Sequence, residues 1–148
     1  MAIGHNPNTI TSANSIILFR CKGVYDNWIK IEGAQADSFL SFGDVSFGET
    51  QMGVDGKQSI GFVPHETPVT LNLAANSPSI NKLETVYRDF ISNMEGRFCE
   101  FQVTYPSVKR RQTLKGAFTG KSGGTGIAKL LDGHSYSFSM ISDGIQDI

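Results

Sequence analysis

The chain has 148 residues, of which 39% are hydrophobic and 18% are charged, and its formal net charge is -1. A length of this order suits one domain that buries a core without metals or disulfides. Proteins that bind nucleic acid or an anionic membrane tightly usually carry an excess of basic residues. A net charge near zero therefore argues against both classes. The 16 glycines are typical of many short strands joined by turns.

The chain begins with a polar segment, residues 1–14, that contains Pro7 and several asparagines. This composition predicts a flexible N-terminal arm ahead of a single domain at residues 15–148. The segment lacks the basic and apolar parts of a secretory signal, so we expect assembly in a cytoplasm. Two strands are predicted next, at Ser15–Lys22 and, with alternating apolar and polar residues, at Trp28–Glu32.

The segment Ser38–Val63 mixes phenylalanines with serines, glycines and polar residues. Asp55-Gly56 lies between two extended runs and predicts a hairpin with a type I′ turn, which needs positive φ at both central residues. The whole segment is therefore predicted to form one long hairpin. Thr67–Leu73 is predicted as a further strand, with Pro68 at its beginning or on an edge because proline cannot donate to a ladder.

One segment has the period of an α-helix, at about residues 78–94. Ser77 is suited to cap its start, and Gly96 is suited to end it. Glu84 and Arg88 are predicted to pair on the outer face. The apolar face predicted to pack on a sheet comprises Ile80, Leu83, Val86, Tyr87, Phe90, Ile91 and Met94.

Strands return after the helix. Apolar residues alternate with polar ones at residues 98–105 (FCEFQVTY) and with serines at residues 134–142 (HSYSFSMIS), and a further strand is predicted at residues 114–119. Strands and helices do not alternate, so a parallel sheet is not expected. The pattern predicts a mainly β fold with one flanking α-helix.

No motif in the chain predicts catalysis. Residues 120–122 (GKS) lack the glycine that a phosphate-binding loop places five residues earlier, because that position is Lys115. His5, His65 and His134 do not have metal-ligand spacing. We therefore predict no catalytic, cofactor-binding or metal-binding residue and no cofactor, and an enzyme is the least favoured class.

The two cysteines, Cys21 and Cys99, each lie in an apolar stretch predicted to be a strand. Their surroundings predict buried thiols that behave as small hydrophobic residues. A disulfide between them would need an oxidising compartment.

Three acidic residues, Asp44, Glu49 and Asp55, are scattered over the predicted hairpin and lack the spacing of a calcium loop. One interpretation is that they are solvated hairpin residues. The other is that they face a channel, where negative charge would repel the phosphates of DNA.

The basic cluster Lys109, Arg110 and Arg111 is predicted to lie in or beside a turn, because Pro106 interrupts the preceding strand. Such a run is usually a solvated turn. The alternatives are a patch that pairs with acids of a neighbouring subunit and a patch that contacts DNA.

Three short motifs, in their order along the chain, carry a resemblance to a known family. They are the hairpin turn GVDG at Gly53–Gly56, the strand VTLNL at Val69–Leu73 and the junction NSPS at Asn76–Ser79, which leads into the helix. Over roughly residues 15–142 the chain resembles the tail tube proteins of contractile-tailed, myovirus-like bacteriophages. The junction and the turn are the most specific parts of this similarity.

The resemblance implies two packed antiparallel sheets, sandwich-like or barrel-like, with one flanking helix. It implies a structural virion protein that assembles with itself in the host bacterial cytoplasm into stacked, hexameric rings. The tail sheath protein would lie outside this tube, and the tape measure protein and DNA would lie in its lumen without specific binding; no membrane is implied. The hairpin with Asp44, Glu49, Asp55 and Gly56 would line the channel or join subunits, although no acidic stripe is evident.

The length of the predicted hairpin supports self-assembly independently, because a long exposed strand edge is an aggregation hazard unless a partner pairs with it. Ring closure would provide that partner. Three alternatives remain at this stage. They are a tube-initiating or baseplate ring, a type VI or bacteriocin-like tube subunit, and a monomeric β-sandwich that binds a ligand. The last would need a concave face with exposed aromatic residues, for which only Trp28 and some phenylalanines could serve, and these fit a core better.

Overall fold

The computed structural model describes residues 4–11, 13–32, 39–123, 126 and 129–148. Within these residues the chain forms nine strands and one helix. Their bounds are β1 Ile16–Cys21, β2 Tyr25–Lys30, β3 Leu40–Phe42, β4 Gly48–Met52, β5 Gln58–Phe62, β6 Thr67–Leu73, α1 Ser79–Asn93, β7 Phe98–Tyr105, β8 Arg110–Gly123 and β9 His134–Asp147.

The strands form two antiparallel sheets. Seven strands make one sheet in the order β2-β1-β7-β8-β9-β6-β3, and β4 pairs with β5 in a separate two-stranded sheet. The described residues of the large sheet do not close it into a barrel, since β2 and β3 remain its edges. The predicted class, mainly β with two antiparallel sheets and one helix, is confirmed.

The core lies on one face of the large sheet, which curls around it. β1 and β9 are separated by β7 and β8, so a flat sheet would hold them about 14 Å apart. The rings of Phe19 on β1 and Phe138 on β9 nevertheless have centroids only 6.3 Å apart, and both pack against Phe101 on β7. Every second side chain of each strand points to the inner face, so the apolar residues that alternate with polar ones form the core on that face.

Helix α1 covers the inner face with its first three turns. Ile80, Leu83 and Val86 are buried against the sheet residues. Ile91 lies in line with Ile80 on the helix surface, since 11 residues bring a helix back to nearly the same direction, yet 53% of it is exposed. The prediction that Ile91 belongs to the core is therefore wrong, because the sheet does not cover the last helical turn. Phe90 is half-buried.

The start of the helix is fastened to the end of the β1–β2 hairpin. Pro78 is the N-cap residue and has no side-chain cap. The Ser77 hydroxyl accepts from the Ser79 amide at 3.3 Å and donates to the Glu32 carbonyl, and the Glu32 amide donates to the Ser79 hydroxyl at 2.8 Å. Ser77 therefore links the helix to the rest of the fold as well as supporting its first turn.

The helix ends at Asn93, three residues before Gly96, and Met94 is its C-cap residue. Met94 adopts the left-handed conformation, with φ of 52°, and its amide donates to the Ile91 carbonyl. Gly96 was predicted to end the helix, and this prediction is wrong. Its lack of a side chain has another use, because a Cβ there would lie 3.1 Å from the ring of Phe90.

The predicted long hairpin is divided in two. β3 joins the large sheet, where Leu40 is opposite Leu71 of β6, and only β4 and β5 form a hairpin. The single-hairpin prediction is therefore wrong, and its first residue, Ser38, lies outside the described residues. The physical reason is burial: Leu40 packs against the core, whereas β4 and β5 bury no residue.

The turn of this hairpin also differs from the prediction. Gly56 has φ of +82°, but Asp55 does not have positive φ, so the turn is not type I′. The Gly56 amide donates to the Gly53 carbonyl at 3.0 Å, and the Gly53 amide donates to the Lys57 carbonyl at 2.8 Å. This pattern is a four-residue turn closed by a left-handed glycine in a bulge. The Asp55 carboxylate accepts from the Lys57 amide at 3.1 Å and stabilises the turn.

Candidate assembly interface

The β4–β5 hairpin projects from the domain with all ten strand residues exposed. Residues directly opposite in an antiparallel pair share a face, so the register divides the hairpin into an apolar and a polar face. The apolar face carries Met52, Ile60 and Phe62, which are 69%, 83% and 74% exposed. The polar face carries Glu49, Gln51, Ser59 and Gly61.

An aromatic cluster closes the base of the hairpin. The rings of Phe47 and Phe62 lie 6.1 and 5.8 Å from His65. The Val63 amide donates to the Phe47 carbonyl at 3.0 Å, so the two ends of the hairpin are adjacent. The hairpin is therefore closed at its base, while its apolar face has no covering layer among the described residues.

The acidic residues predicted for the channel are all exposed and well separated along this segment. Asp44 precedes β4, Glu49 lies on the polar face, and Asp55 with Gly56 forms the turn. The described residues contain no group of three or more histidines, cysteines or acids that could hold a metal ion.

The basic cluster lies at the turn between β7 and β8. Lys109 has φ of 54°, and Arg110 and Arg111 begin β8. All three are exposed, and their side chains make no ion pair with any described residue. Asp147 is opposite Arg110 in the β8–β9 register. Sequence reasoning missed this same-chain acid, because only strand pairing brings the chain end to the turn.

A groove of about 560 Å³ lies on the outer face of the large sheet, and Trp28, which the sequence favoured as a core residue, is part of its lining. The Arg20 guanidinium lies 4.5 Å from the Trp28 ring and pairs with Glu100, whose other oxygen is 3.9 Å from Lys115. Lys115 also lies 5.8 Å from the Phe98 ring. These residues alternate with core residues along β1, β7 and β8, and that alternation is the only sequence signal for them.

The rest of the outer face, over β8, β9, β6 and β3, carries small uncharged residues. Register places them in three rows. They are Ser122, Ser135 and Asn72 in the first row, Gly120, Ser137, Thr70 and Ser41 in the second, and Ala117, Ser139 and Pro68 in the third. The residues of the three rows carry no charge themselves, and the one carboxylate that contacts them among the described residues is that of Glu66, which accepts from the Ser139 hydroxyl at 2.5 Å.

Glu84 forms a polar link between the helix and the sheet. Its carboxylate accepts from Lys121 at 3.0 Å and from the Tyr136 hydroxyl at 2.9 Å, and His134 Nδ1 is 3.8 Å away. The predicted pair with Arg88 is wrong, because the Arg88 guanidinium donates to the Glu84 backbone carbonyl at 3.4 Å and not to the carboxylate. The sheet supplies stronger partners from across the core.

The same contacts shift the pKa values of Glu84 and Tyr136. Burial alone would raise the pKa of Glu84, but the hydrogen bonds from Lys121 and Tyr136 outweigh it and hold the pKa below its ordinary 4.5. Burial and the hydrogen bond to Glu84 raise the pKa of Tyr136. Glu84 is therefore charged, and Tyr136 neutral, throughout the neutral pH range.

We expect Glu84→Gln to lower the free energy of unfolding by about 1–2 kcal/mol at neutral pH, because it removes a charge with two hydrogen-bonding partners. The folded pKa of Glu84 is depressed, so its stabilisation is present above the ordinary value and is lost as the pH falls through the folded value. Urea melts should therefore show the difference at pH 7 and a much smaller one in acid. Glu95→Gln, at an exposed position, is the control, and an equal difference at all pH values would contradict the assignment.

Residues 120–122 lie within β8, paired with β9. The segment GKS is therefore part of a strand, whereas its glycines suggested a loop between strands. Over the described residues, no helix has the length and apolar character needed to cross a membrane.

Two solved structures share this fold. A chain of the PVC sheath-tube complex in the extended state, from an extracellular contractile injection system, aligns with a TM-score of 0.52 and 14% identity over 95% of this chain and 93% of that one. A chain of the 6-fold symmetrised anti-feeding prophage (AFP) baseplate aligns with a TM-score of 0.57 and 13% identity, covering 100% and 97%. No curated protein matches the sequence.

A family model described as "Tail fiber protein gp32" matches residues 8–142, which is most of the chain. The match indicates a structural component of a phage tail, and the two similar structures agree with it in fold alone. The chain belongs to the tail fiber protein gp32 family.

Proposed function

We propose that this protein is a ring-forming subunit of the inner tail tube of a contractile tail. The observation that carries the proposal is the projecting β4–β5 hairpin, whose apolar face is exposed at Met52, Ile60 and Phe62. A monomer gains nothing from such a face, whereas a neighbouring copy that covers it gains roughly 25 cal/mol for each Å² buried. Repeated head-to-tail contacts of this kind close into a ring when the rotation closes.

The two faces of the hairpin and the outer face of the sheet suit a channel. We propose that the apolar hairpin face packs on the next subunit, while the polar face with Glu49 and the turn at Asp55 and Gly56 lie toward the lumen, near Asp44. The uncharged rows around Ser137 would form the channel wall. DNA and the tape measure protein would then pass without specific binding, and the sheath protein would lie on the outside.

A second role within the same class is a tube-initiating or baseplate ring. The alignment with a baseplate chain, which has a TM-score of 0.57, favours it. Such a ring would use the same lateral contacts but would stop after one or a few layers.

Size-exclusion chromatography followed by negative-stain microscopy of the purified protein tests these proposals. Stacked hollow rings of indefinite length support the tube subunit. Rings that do not stack support the initiating or baseplate ring. A protein that remains monomeric at high concentration contradicts both.

The basic cluster is proposed as a contact between subunits. We expect K109Q, R110Q and R111Q together to slow polymerisation and to make its rate less sensitive to salt, because exposed ion pairs are weak and are screened within about 8–10 Å. Light scattering at several salt concentrations measures both effects, and monomer melts should be nearly unchanged. Unchanged assembly together with altered DNA retention would favour a contact with DNA in the lumen.

The polar segment at residues 1–14 is proposed as an arm that bridges stacked rings. Its described residues, 4–11 with 13 and 14, lie outside strands and helices, and the Ser107 hydroxyl contacts Asn14 at 3.1 Å. Limited proteolysis should trim the arm from monomers and spare it in tubes. Trimming at the same rate in both states would refute this role.

A further inference from the structure

The two cysteines face each other at the end of the β1–β7 ladder. Cys21, the last residue of β1, is directly opposite Cys99 of β7, and both thiols are free and fully buried on the inner face. Burial of both was predicted from their apolar surroundings, but their pairing was not, because 77 residues of chain lie between positions 21 and 99.

The neighbouring backbone contacts show which kind of pair this is. The Lys22 amide donates to the Phe98 carbonyl at 3.3 Å, so the next pair along the ladder is hydrogen-bonded. Pair types alternate along an antiparallel ladder, which makes Cys21 and Cys99 a non-hydrogen-bonded pair. Such pairs have Cα atoms about 4.5 Å apart, at the lower end of the roughly 4.4–6.8 Å that a disulfide spans.

The surroundings make the two thiols unequal. The neighbouring Cys99 thiol, and then the positive charge of Arg97, lower the pKa of Cys21 below its ordinary value. The neighbouring Cys21 and burial raise the pKa of Cys99, whose thiol donates to the Arg97 carbonyl at 3.9 Å. Cys21 is therefore the thiol that reaches the nucleophilic thiolate form first.

The Arg97 side chain lies at the end of the ladder where the two cysteines meet, two residues before Cys99. Arg97 packs against Gly23, where an added Cβ would collide with its guanidinium, and it pairs with Asp89 of the helix. Rupture of this contact and fraying of the last ladder position would admit a small reagent.

We propose that Cys21 and Cys99 form a redox site that closes to an intramolecular disulfide by exchange with a small-molecule disulfide such as oxidised glutathione. The Cys21 thiolate attacks one sulfur of the reagent, forms a mixed disulfide and releases one thiolate. Cys99, after losing its proton, attacks the Cys21 sulfur and releases the second thiolate. The two protein thiols are oxidised to one disulfide, and the reagent disulfide is reduced to two thiols that carry away the two protons.

The bond would fasten β1, and with it the edge strand β2, to β7. Cellular thiols stay reduced in a cytosol, whereas disulfides persist outside the cell. A tail component would thus fold with free thiols and gain a cross-link once its particle is released. This inference depends only on the chain belonging to a phage tail family. It does not depend on the proposal that the protein forms the tail tube.

Purified protein is incubated with oxidised glutathione under native conditions, in parallel with R97Q, which removes the Arg97–Asp89 ion pair beside the end of the ladder. Intact mass measurement and alkylation in denaturant then report the state of the thiols. We expect a loss of two hydrogen atoms, no alkylation, no lasting glutathione adduct and a higher melting temperature that a reductant reverses. C21A and C99A should instead accumulate glutathione adducts or free thiol, without the rise in melting temperature.

Two results would overturn the proposal. One is that both the wild type and R97Q keep two alkylatable thiols after prolonged incubation. The other is that they form only glutathione adducts or disulfide-linked dimers. Assembly into rings or tubes is scored separately on the reduced protein, so failure of the redox site leaves the tube proposal untouched.

Discussion

Replacing Gly48–Phe62 by a two-residue linker is expected to yield a folded monomer that forms neither rings nor tubes. The linker is short because the Val63 amide already donates to the Phe47 carbonyl, so the flanking residues are adjacent and a two-residue loop can close them. The free energy of unfolding should change little, because β4 and β5 bury none of their residues. Assembly should be abolished, because the exposed apolar face is removed.

Point variants separate the two faces of the hairpin. I60S with F62S changes the apolar face on β5, and Q51S with S59A changes the polar face on β4 and β5. We expect the first pair to block assembly and the second pair to preserve it, as judged by sedimentation and negative-stain microscopy. Normal tubes from the deletion variant would show that the hairpin is not the subunit contact.

Phe101→Ala is expected to lower the free energy of unfolding by about 3–5 kcal/mol. Phe101 is fully buried at the centre of the curled sheet, with ring centroids 5.2 Å from Phe19 and 4.8 Å from Phe138. Truncation would leave a cavity that both neighbouring rings line, and interlocked aromatic residues cannot easily collapse into it.

Two other phenylalanines give a graded comparison for this prediction. Phe98, on the same strand β7 but on the outer face, is 64% exposed, so Phe98→Ala should cost less than about 1 kcal/mol. Phe90, half-buried on the helix, should lie between them at about 1–3 kcal/mol. Urea melts of the three variants measure the order. A cost for Phe101→Ala as small as that for Phe98→Ala would mean that the inner face is not the core.

The local pattern of the sequence was enough to predict most elements. An apolar run predicted β1, and alternation predicted β7 and the inward-facing residues of β9. The 3.6-residue period predicted α1 to within about one residue at each end. Both signals depend on neighbouring residues alone, since a strand or helix with one buried face repeats its apolar residues at its own period. The mainly β class followed from the same information.

Contacts between distant parts of the chain were decided only by the tertiary structure. The same alternating pattern is compatible with β3 continuing into a hairpin or joining β6, and only the burial of Leu40 selects β6. The helix period predicts that Ile91 is a core residue. It is exposed because the sheet does not extend far enough to cover it.

The candidate sites divide in the same way. The sequence alone identified an unusual segment around Asp55-Gly56 and a basic run at Lys109, because composition is visible without a fold. It could not reveal that the hairpin stands free of the core, that Glu84 turns from Arg88 toward the sheet, or that Cys21 meets Cys99. All three features depend on strand order and register. These bring together residues that are distant along the chain, and nothing in the sequence around either residue indicates which residue it will contact.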